Sequence, residues 1–419
     1  MEGTKLNWLF ISFLACASML PLLRANIAEY DEVWRRRAAE AYNRTLQAYH
    51  PDPVKVVMHF NKHVNKHFEE SGGVDNAMMM NTSRRHLGKA YKGPCKVTNP
   101  STLVGGATPS GIWTGLGSRI AVWGSAARPP VERAEEPLWI TFRRNMVIKL
   151  KQELIMTSDK TIDGRGAIVQ IAYGAGITIQ FVKNIIIHNL KIHHIVEKDG
   201  GLIRDSATHT GLRTKSDGDG ISIFGSQDIW IDHVSMTRCA DGLIDIIQGS
   251  TGVTISNSHF TDHDHAMLFG GNDKYPGDEK MQITVAFNHF GKRMVQRMPR
   301  CRYGFFHVVN NDYTHWKMYA IGGSSHPTII SQGNRYIADH PYAKQVTKRE
   351  CGESEWKHWT WVTDGDLFLR GAYFIPSGDQ DWLSKHPEKS DKIKPASATL
   401  VSQMTKFAGR LGCKLKYAC

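Results

Sequence analysis

The 419-residue sequence lacks any apolar run beyond its start that is long enough to cross a bilayer. The one candidate, residues 6–23, follows Lys5 and ends near Ala25 among small residues, which is the pattern of a cleaved secretory signal. Two serines and Pro21 interrupt the run, and this disfavours a retained anchor. We therefore expect residues 1–25 to be a signal peptide, and the mature protein to be secreted with no membrane attachment.

The sequence also lacks a compact block of Lys and Arg, although its formal net charge is +12. Proteins that bind nucleic acid concentrate basic residues on one face or helix, so nucleic acid is not the expected partner. A dispersed positive charge still attracts polyanions over a distance. For a secreted protein, this charge favours an acidic polysaccharide as partner, and nothing in the sequence requires more than a monomer.

Cysteine is scarce, with seven residues in the chain, of which Cys16 falls in the signal peptide. An even number then remains in an oxidising compartment, which permits disulfides, and Cys413 and Cys419 are spaced to close a small terminal loop. Sequons at Asn43 and Asn81 are typical of a glycoprotein. The six remaining cysteines are Cys95, Cys239, Cys301, Cys351, Cys413 and Cys419.

Asn-Gly and Asp-Gly turns between neighbouring strands are scarce, which argues against a β-sandwich. Short apolar strands broken by Gly, Asn and Asp follow one another from about residue 138, and several end in Asn, as at Asn288 and Asn334. Short strands that recur in this way, with Asn at the bends between them, are typical of a solenoid. We predict an all-β fold, a right-handed single-stranded parallel β-helix over residues 135–380.

The remaining segments differ from this pattern. Residues 26–100 are predicted to form a short helical and polar N-terminal extension, and residues 381–419 a C-terminal tail that packs on the β-helix. In residues 101–134, Gly, Ala, Ser, Pro and Thr occupy 21 of 34 positions and no strand or helix period persists. A flexible loop is one interpretation of this segment. A shifted reading frame or misassigned exon is our hypothesis. If the segment is genuine as written, we expect exposed strand edges at the start of the β-helix.

Two pairs of acids are separated by about one coil of such a solenoid: Asp217 with Asp219, and Asp241 with Asp245. Within each pair the spacing is even, so both side chains project to the same side of a strand. Asp-Gly is also common turn chemistry, but two such pairs one coil apart favour a metal site. Because all the donors are oxygens, Ca²⁺ is the predicted ion.

Three arginines lie within six residues, at Arg297, Arg300 and Arg302. Arginine binds carboxylates bidentately and stays charged, so this segment beside a calcium site favours binding of polyuronate over a merely solvated basic strand. Asp232 and His233 form an adjacent acid–histidine pair. Such pairs are more often structural than catalytic, and we predict that these two support the neighbouring site.

Taken together, these motifs resemble the plant pectate lyases of polysaccharide lyase family 1, including pollen-type members, from about Glu136 to Gly378. The resemblance implies a parallel β-helix that cleaves de-esterified α-1,4-galacturonan by β-elimination and uses calcium in the plant cell wall. The segments that carry it are Glu136–Ile140, Thr161–Gly166, Ser216–Gly220, Trp230–His233 and Arg297–Arg300.

By position, the resemblance implies that Asp217, Asp219, Asp241 and Asp245 bind calcium and that Arg297 is the catalytic base. Arg302, with Arg300, is implied to hold a carboxylate of the polygalacturonate substrate. Family members often carry a lysine where this chain has His265, which replaces it only when protonated. Two rivals remain open: a non-catalytic polyuronate-binding homologue, and a polygalacturonase-like hydrolase that uses paired carboxylates and water.

Overall fold

The computed structural model describes residues 137–204, 210–339, 341–386 and 393–412, together with residue 36 and a strand at 119–123. The signal peptide, both sequons and almost all of the N-terminal extension therefore lie outside the described residues. So do Cys95, Cys413 and Cys419. No helix in the described ranges has the length and apolar character needed to cross a membrane.

Three parallel sheets, named I, II and III, receive successive strands of the chain in turn. Within the described residues, sheet I contains β1 (Arg119–Trp123), β2 (Leu138–Phe142), β5 (Lys160–Asp163), β8 (Lys183–His188), β13 (Gln227–Asp232), β16 (Thr251–Ser256), β19 (Gln282–Ala286), β22 (Phe305–Val309), β25 (Thr328–Gln332) and β28 (Trp361–Asp364). Sheet II contains β3 (Met146–Ile148), β6 (Val169–Ala172), β9 (Lys191–His193), β14 (Ser235–Thr237), β17 (His259–Thr261), β20 (His289–Phe290), β23 (Asp312–Tyr313), β26 (Arg335–Ile337) and β29 (Leu367–Leu369). Sheet III contains β4 (Leu154–Met156), β7 (Ile177–Gln180), β12 (Ile221–Phe224), β15 (Ile244–Ile247), β18 (Met267–Phe269), β21 (Arg300–Arg302), β24 (Ile321–Ser324) and β27 (Thr347–Arg349).

The predicted parallel β-helix is therefore confirmed, because the coils from β2 to β27 each contribute one strand to every sheet, and successive coils pair in parallel. An antiparallel hairpin, β10 (Gly201–Arg204) and β11 (Thr210–Arg213), is inserted between β9 and β12. The helical elements in the described ranges are short: α1 (Glu353–Trp356), α2 (Trp382–Lys385), α3 (Val401–Met404) and 3-10 turns at Pro276–Lys280 and Ala398–Leu400.

The interior is filled by stacked side chains from equivalent positions of successive coils. In β13, Ile229 and Ile231 are buried while Trp230 between them faces outward, as alternation along a strand requires. Sheet II supplies an aromatic column in which neighbouring ring centroids lie 4.6–5.5 Å apart. The column consists of Phe260, Phe290, Tyr313, Tyr336 and Phe368.

The recurring Asn residues lie at the corner between sheets I and II, as predicted. The side-chain oxygen of Asn311 accepts a hydrogen bond from the backbone N–H of Asn288 at 2.9 Å. Asn334 receives one from the N–H of Asn311 at 2.7 Å. These bonds satisfy backbone donors that the sharp bend removes from the sheets. The C-terminal segment, residues 393–412, runs along this corner, where Ala396 N–H donates to Asn310 Oδ1 at 2.8 Å.

The start of the β-helix includes a strand that no sequence pattern indicates. The sequence from 101 to 134 showed no strand period, yet β1 lies within it and pairs in parallel with β2. The pairing of Arg119 with Leu138 and of Trp123 with Phe142 extends sheet I by one strand. Five residues between Gly/Ser-rich flanks are too short for a period to be recognised, and pairing with β2 selects the strand. The domain boundaries themselves stay a prediction.

Candidate active site

Four aspartates from two successive coils meet at one end of sheet III. Asp217 and Asp219 lie in the loop that leads into β12, Asp241 in the loop that leads into β15, and Asp245 within β15. β12 and β15 pair in parallel, with Ser222 opposite Asp245. Carboxylate oxygens of Asp217, Asp219 and Asp241 lie within 4.8 Å of one another. We refer to the four aspartates as the acid cluster.

Neighbours in its own coil and in the next coil hold Asp219 in place. The N–H of Gly242 donates to Asp219 Oδ1 at 2.7 Å, and the Ser222 hydroxyl donates to Oδ2 at 3.0 Å. A Cβ on Gly242 would lie 2.2 Å from Asp245 Oδ1 and 2.9 Å from Asp219 Oδ1. The carboxylates therefore surround a point at which only glycine is tolerated, and their oxygens crowd the space beside it.

Burial and mutual repulsion disfavour ionisation of the acid cluster. Burial, followed by the charge of Asp217, raises the pKa of Asp219 to about 7. Burial also raises the pKa of Asp245 well above its ordinary value, with further increases from the other three acids. The pKa of Asp217 is raised by burial and by Asp241. A cation bound by these carboxylate oxygens would offset both the cost of burying the charges and their mutual repulsion.

A narrow cleft opens beside the acid cluster and is lined by Glu153, Thr178 and Ser222 among others. The Thr178 hydroxyl donates to Glu153 Oε1 at 2.6 Å, and Arg213 forms an ion pair with the same oxygen at 3.4 Å. The charge of Glu153 also contributes to the raised pKa of Asp217. Glu153 is a fifth carboxylate at this site, and nothing in the sequence around it marks it as a site residue.

Arg297 precedes β21 and lies near the acid cluster, since its charge lowers the pKa of Asp245 against the effects of burial and the other acids. Its backbone is in the left-handed region, with φ of 60°, and its carbonyl accepts a hydrogen bond from Met267 N–H at 2.7 Å. In the described part of the chain, its buried Nε has no hydrogen-bond partner. A non-glycine residue held in this conformation is a candidate for function.

Arg300 and Arg302 are held by acids from later or neighbouring loops. The register runs from Asp245 through Leu268 to Arg300, so this arginine lies two strands beyond the acid cluster on the same sheet. Arg300 Nη2 pairs with Glu350 at 2.6 Å. Arg302 Nε pairs with Asp273 at 2.9 Å.

His265 lies between the two groups. Its Nδ1 is 3.9 Å from Asp241 Oδ1, and its backbone forms a parallel bridge with Gln296, the residue before Arg297. The side chain is partly exposed beside Asp264, with 3.8 Å between Nε2 and Oδ2. The structure therefore brings His265 to the boundary between the acid cluster and the arginines.

Asp232 and His233 lie elsewhere, at the corner where sheet I turns towards sheet II. Asp232 Oδ2 lies 2.9 Å from His188 Nδ1 and 2.7 Å from His233 Nδ1. Its Oδ1 accepts hydrogen bonds from the Ser256 hydroxyl at 2.6 Å and from Asn257 Nδ2 at 2.8 Å. Although burial opposes it, these contacts hold the pKa of Asp232 well below its usual range. We refer to the five residues as the Asp232 network; the assignment of Asp232 and His233 to support of the acid cluster stays a prediction.

The described cysteines are all free thiols: Cys239 and Cys301 are buried and Cys351 is partly buried. They do not form the disulfides that an even count permits. Cys239 and Cys301 behave here as small apolar core residues. The predicted Cys413–Cys419 loop lies outside the described residues.

The chain matches two family models. Residues 146–355 match the model described as pectate lyase, and residues 26–87 match the model described as pectate lyase, N terminus. The first match contains the acid cluster, the three arginines and the Asp232 network.

Curated relatives match over the whole chain. A probable pectate lyase of Solanum lycopersicum is 52 % identical over 456 aligned residues, covering 100 % of both chains. A pectate lyase of Lilium longiflorum is 50 % identical, again with 100 % of both chains covered. Among solved structures, Jun a 1, the major allergen from cedar pollen, superposes with a TM-score of 0.65 at 40 % identity. That match covers 70 % of this chain and 88 % of the other.

Proposed function

Because the chain belongs to the pectate lyase family, we propose that the acid cluster and the neighbouring arginines form the site with which it acts. The protein is an enzyme that cleaves pectate by elimination, leaving an unsaturated uronate at the new chain end. The observation that carries the assignment is the convergence of four carboxylates from two successive coils, with Arg297 before β21 at the same end of sheet III and near enough for its charge to lower the pKa of Asp245. A cation site beside an arginine suits a substrate that carries a carboxylate on every sugar.

The acid cluster fits calcium. Its ligands are all carboxylate oxygens, burial and neighbouring acids raise the pKa values of Asp217, Asp219 and Asp245, and Gly242 leaves the space between Asp219 and Asp245 open. Asp217, Asp219, Asp241 and Asp245 would hold the ion. When bound, calcium would offset the cluster's charge and draw electron density from a uronate carboxylate, which acidifies the proton at C5.

Arg297 is the proposed base. In elimination, a neutral guanidine nitrogen accepts the C5 proton, a double bond forms between C4 and C5, and the C4–oxygen bond breaks. The leaving oxygen takes a proton from water and becomes a hydroxyl of the released chain. An arginine base requires that the charged form not be over-stabilised. The ion pairs of the described residues join Arg300 and Arg302 to carboxylates but include none for Arg297, whose side chain instead forms a hydrogen bond with Tyr319.

Arg300, Arg302 and His265 are proposed to bind substrate carboxylates. Arg300 and Lys348 occupy one row of sheet III, because both are paired with Gly322 between them. Strands lie about 4.8 Å apart, so this row offers positive charge at roughly 10 Å spacing along the sheet. Such a row attracts a polyuronate to the surface beyond the acid cluster.

The test is the ultraviolet absorbance of the unsaturated product formed from polygalacturonate. We expect absorbance that a calcium chelator abolishes. In Arg297→Lys we expect no absorbance, while binding of polygalacturonate is retained, because lysine keeps the positive charge but not the planar guanidinium. Arg293→Lys is the matched control, because Arg293 is an exposed arginine nearby that pairs with Asp262. Reducing ends without absorbance would indicate a hydrolase, and binding without either product an inactive homologue. Full activity of Arg297→Lys would refute the assignment.

We also propose that the protein is secreted to the cell wall as a monomeric glycoprotein, after removal of residues 1–25. This rests on the sequence signals at its start and on its substrate, which is a wall polymer. Mass spectrometry of the protein from culture medium, before and after deglycosylation, tests both the new N-terminus and Asn43 and Asn81.

A further inference from the structure

The loop from Gly270 to Lys280 connects β18 of sheet III to β19 of sheet I and is fixed at both ends. On one side, the buried carboxylate of Asp278 accepts the N–H of Gly249 at 2.7 Å, which ties the loop to the preceding coil. On the other side, the Tyr303 hydroxyl donates to the carbonyl of Asp273. The loop is therefore positioned against both of its neighbouring coils.

Among the described residues, the side chains that donate hydrogen bonds to the Asp273 carboxylate all belong to later coils. Its Oδ1 accepts Arg302 Nε at 2.9 Å, the Ser324 hydroxyl at 2.5 Å and the Ser325 hydroxyl at 2.7 Å. Although burial opposes it, these bonds lower the pKa of Asp273 to about 2. The carboxylate is thus an ionised acceptor at any pH at which the enzyme works.

The same loop provides a second contact to this arginine. Arg302 Nη1 donates to the carbonyl of Gly270 at 2.7 Å. Two bonds from one loop, at Nε and at Nη1, fix both the position and the plane of the guanidinium, whose side chain is only 10 % exposed. Among the hydrogen bonds of the described residues, none uses Nη2, and this nitrogen remains for a ligand.

We propose that Asp273 is a positioning residue for the elimination: it sets the orientation in which Arg302 meets a uronate carboxylate. The inference rests on the proposed substrate-binding role of Arg302 and adds to it. Asp273 occupies Nε and so removes one of the two bidentate edges of the guanidinium. A uronate can then reach only Nη2 or the Nη1–Nη2 edge, which limits how the sugar lies relative to Arg297.

The test is steady-state kinetics of Asp273→Asn on polygalacturonate at saturating calcium. Asparagine keeps an oxygen for the two serines but loses the charge that orients Arg302. We expect kcat to fall about tenfold, because orientation contributes to catalysis. KM is expected to stay the same or fall, because a negative charge beside a polyanion site has been removed. A loop that merely tethers the fold would instead raise KM and lower the melting temperature.

A double-mutant cycle with Arg302→Lys separates this inference from the assignment of Arg302 itself. If Asp273 acts through Arg302, the kcat loss from Asp273→Asn disappears in the Arg302→Lys background. Persistence of the full loss there, or no loss in the single variant, overturns the inference while leaving Arg302 as a substrate residue. An Arg302→Lys variant with wild-type kinetics overturns both.

Two further variants keep the result interpretable. Glu279→Gln is the matched control, since Glu279 is exposed in the same loop and its substitution removes the same charge; wild-type kinetics are expected. If Asp273→Asn does not fold, the combined variant Ser324→Ala, Ser325→Ala frees the carboxylate by removing two of its three partners. It should lower kcat without raising KM, and a raised KM would contradict the proposal.

Discussion

The acid cluster and the Asp232 network are two groups of carboxylates on the same solenoid with opposite electrostatics. Asp232 is the more deeply buried, yet two imidazoles, a hydroxyl and an amide surround its oxygens, and its pKa is held low. Asp219 has one N–H and one hydroxyl as partners, and its pKa is raised to about 7. Burial alone does not decide the ionisation of an acid; its donors do.

This difference separates a structural role from a binding role. A carboxylate whose donors come from its own chain contributes to the fold and has little left for a ligand. Carboxylates that repel one another lower the stability of the free protein and bind a cation strongly when it arrives. We therefore expect substitutions in the Asp232 network to affect stability and substitutions in the acid cluster to affect activity.

The largest expected effect is on activity. Asp241→Asn removes one proposed calcium ligand, and we expect elimination at limiting calcium to fall about 100-fold, as loss of a charged metal ligand or its support does in other sites. Without calcium, its melting temperature should equal or exceed that of the wild type, because repulsion within the acid cluster is reduced. The measurement is product absorbance across a calcium titration, with melting curves in chelator.

The control for this variant is Asp264→Asn, which alters a largely exposed acid on the same face. It should retain the wild-type calcium requirement. An unchanged calcium requirement in Asp241→Asn would mean that the ion binds elsewhere. The acid cluster would then not be the binding site that distinguishes it from the Asp232 network.

Much of the fold was predictable from the sequence because successive coils repeat the same local sequence pattern. Buried residues alternate along the strands, and Asn recurs where the chain turns from sheet I to sheet II, as at Asn288, Asn311 and Asn334. Convergence of the acid pairs also followed from coil spacing, since β12 and β15 are adjacent in sheet III. β1 was missed because five residues carry too little pattern.

The partners of the arginines were not predictable. Asp273 and Glu350 pair with Arg302 and Arg300 across loops whose lengths follow no repeat. The position of a loop residue depends on the contacts that fix the loop. Those contacts use backbone N–H and C=O groups, which every residue has, so no sequence pattern reveals them. For the same reason, Asp232 and His233 read as an isolated pair, whereas His188 from the previous coil completes their network.

The next effect is on stability. Asp232→Asn places an amide where two histidine donors meet an ionised carboxylate, and we expect the free energy of unfolding to fall by about 3 kcal/mol. In a domain of this size, that lowers the melting temperature by roughly 6–12 °C. Below the transition, the folded variant should retain the calcium dependence of the wild type. Chemical denaturation and product absorbance measure the two properties.

Asp228→Asn, an exposed acid on the same strand, is the control and should change stability by no more than about 0.5 kcal/mol. If Asp232→Asn were as stable as this control, the Asp232 network would not be a structural unit. If the folded Asp232→Asn variant instead lost its calcium dependence, the result would support the prediction that Asp232 and His233 assist the neighbouring site.

The smallest expected effect is a pH dependence of the calcium-free protein. The pKa of Asp219 is about 7 in the fold and near its ordinary value of 3.8 when unfolded. Between these values, the folded state binds more protons than the unfolded state, so stability falls as pH rises. We expect a loss of about 1 kcal/mol between pH 6 and pH 7 from this group. Denaturant titrations in chelator at the two pH values measure it.

Asp219→Asn should reduce this slope by the share of Asp219, because asparagine does not titrate, and Asp264→Asn should keep it. Saturating calcium should also flatten it in the wild type, since a bound cation keeps the carboxylates ionised at both pH values. Asp232 contributes nothing to the slope in this window: its pKa is lowered, so its stabilisation is complete above the unfolded value and is lost only as the pH falls below about 4. A wild-type slope in Asp219→Asn would mean that another group causes the pH dependence and that the pKa of Asp219 is not raised. Asp219 would then not differ from Asp232 in the way proposed above.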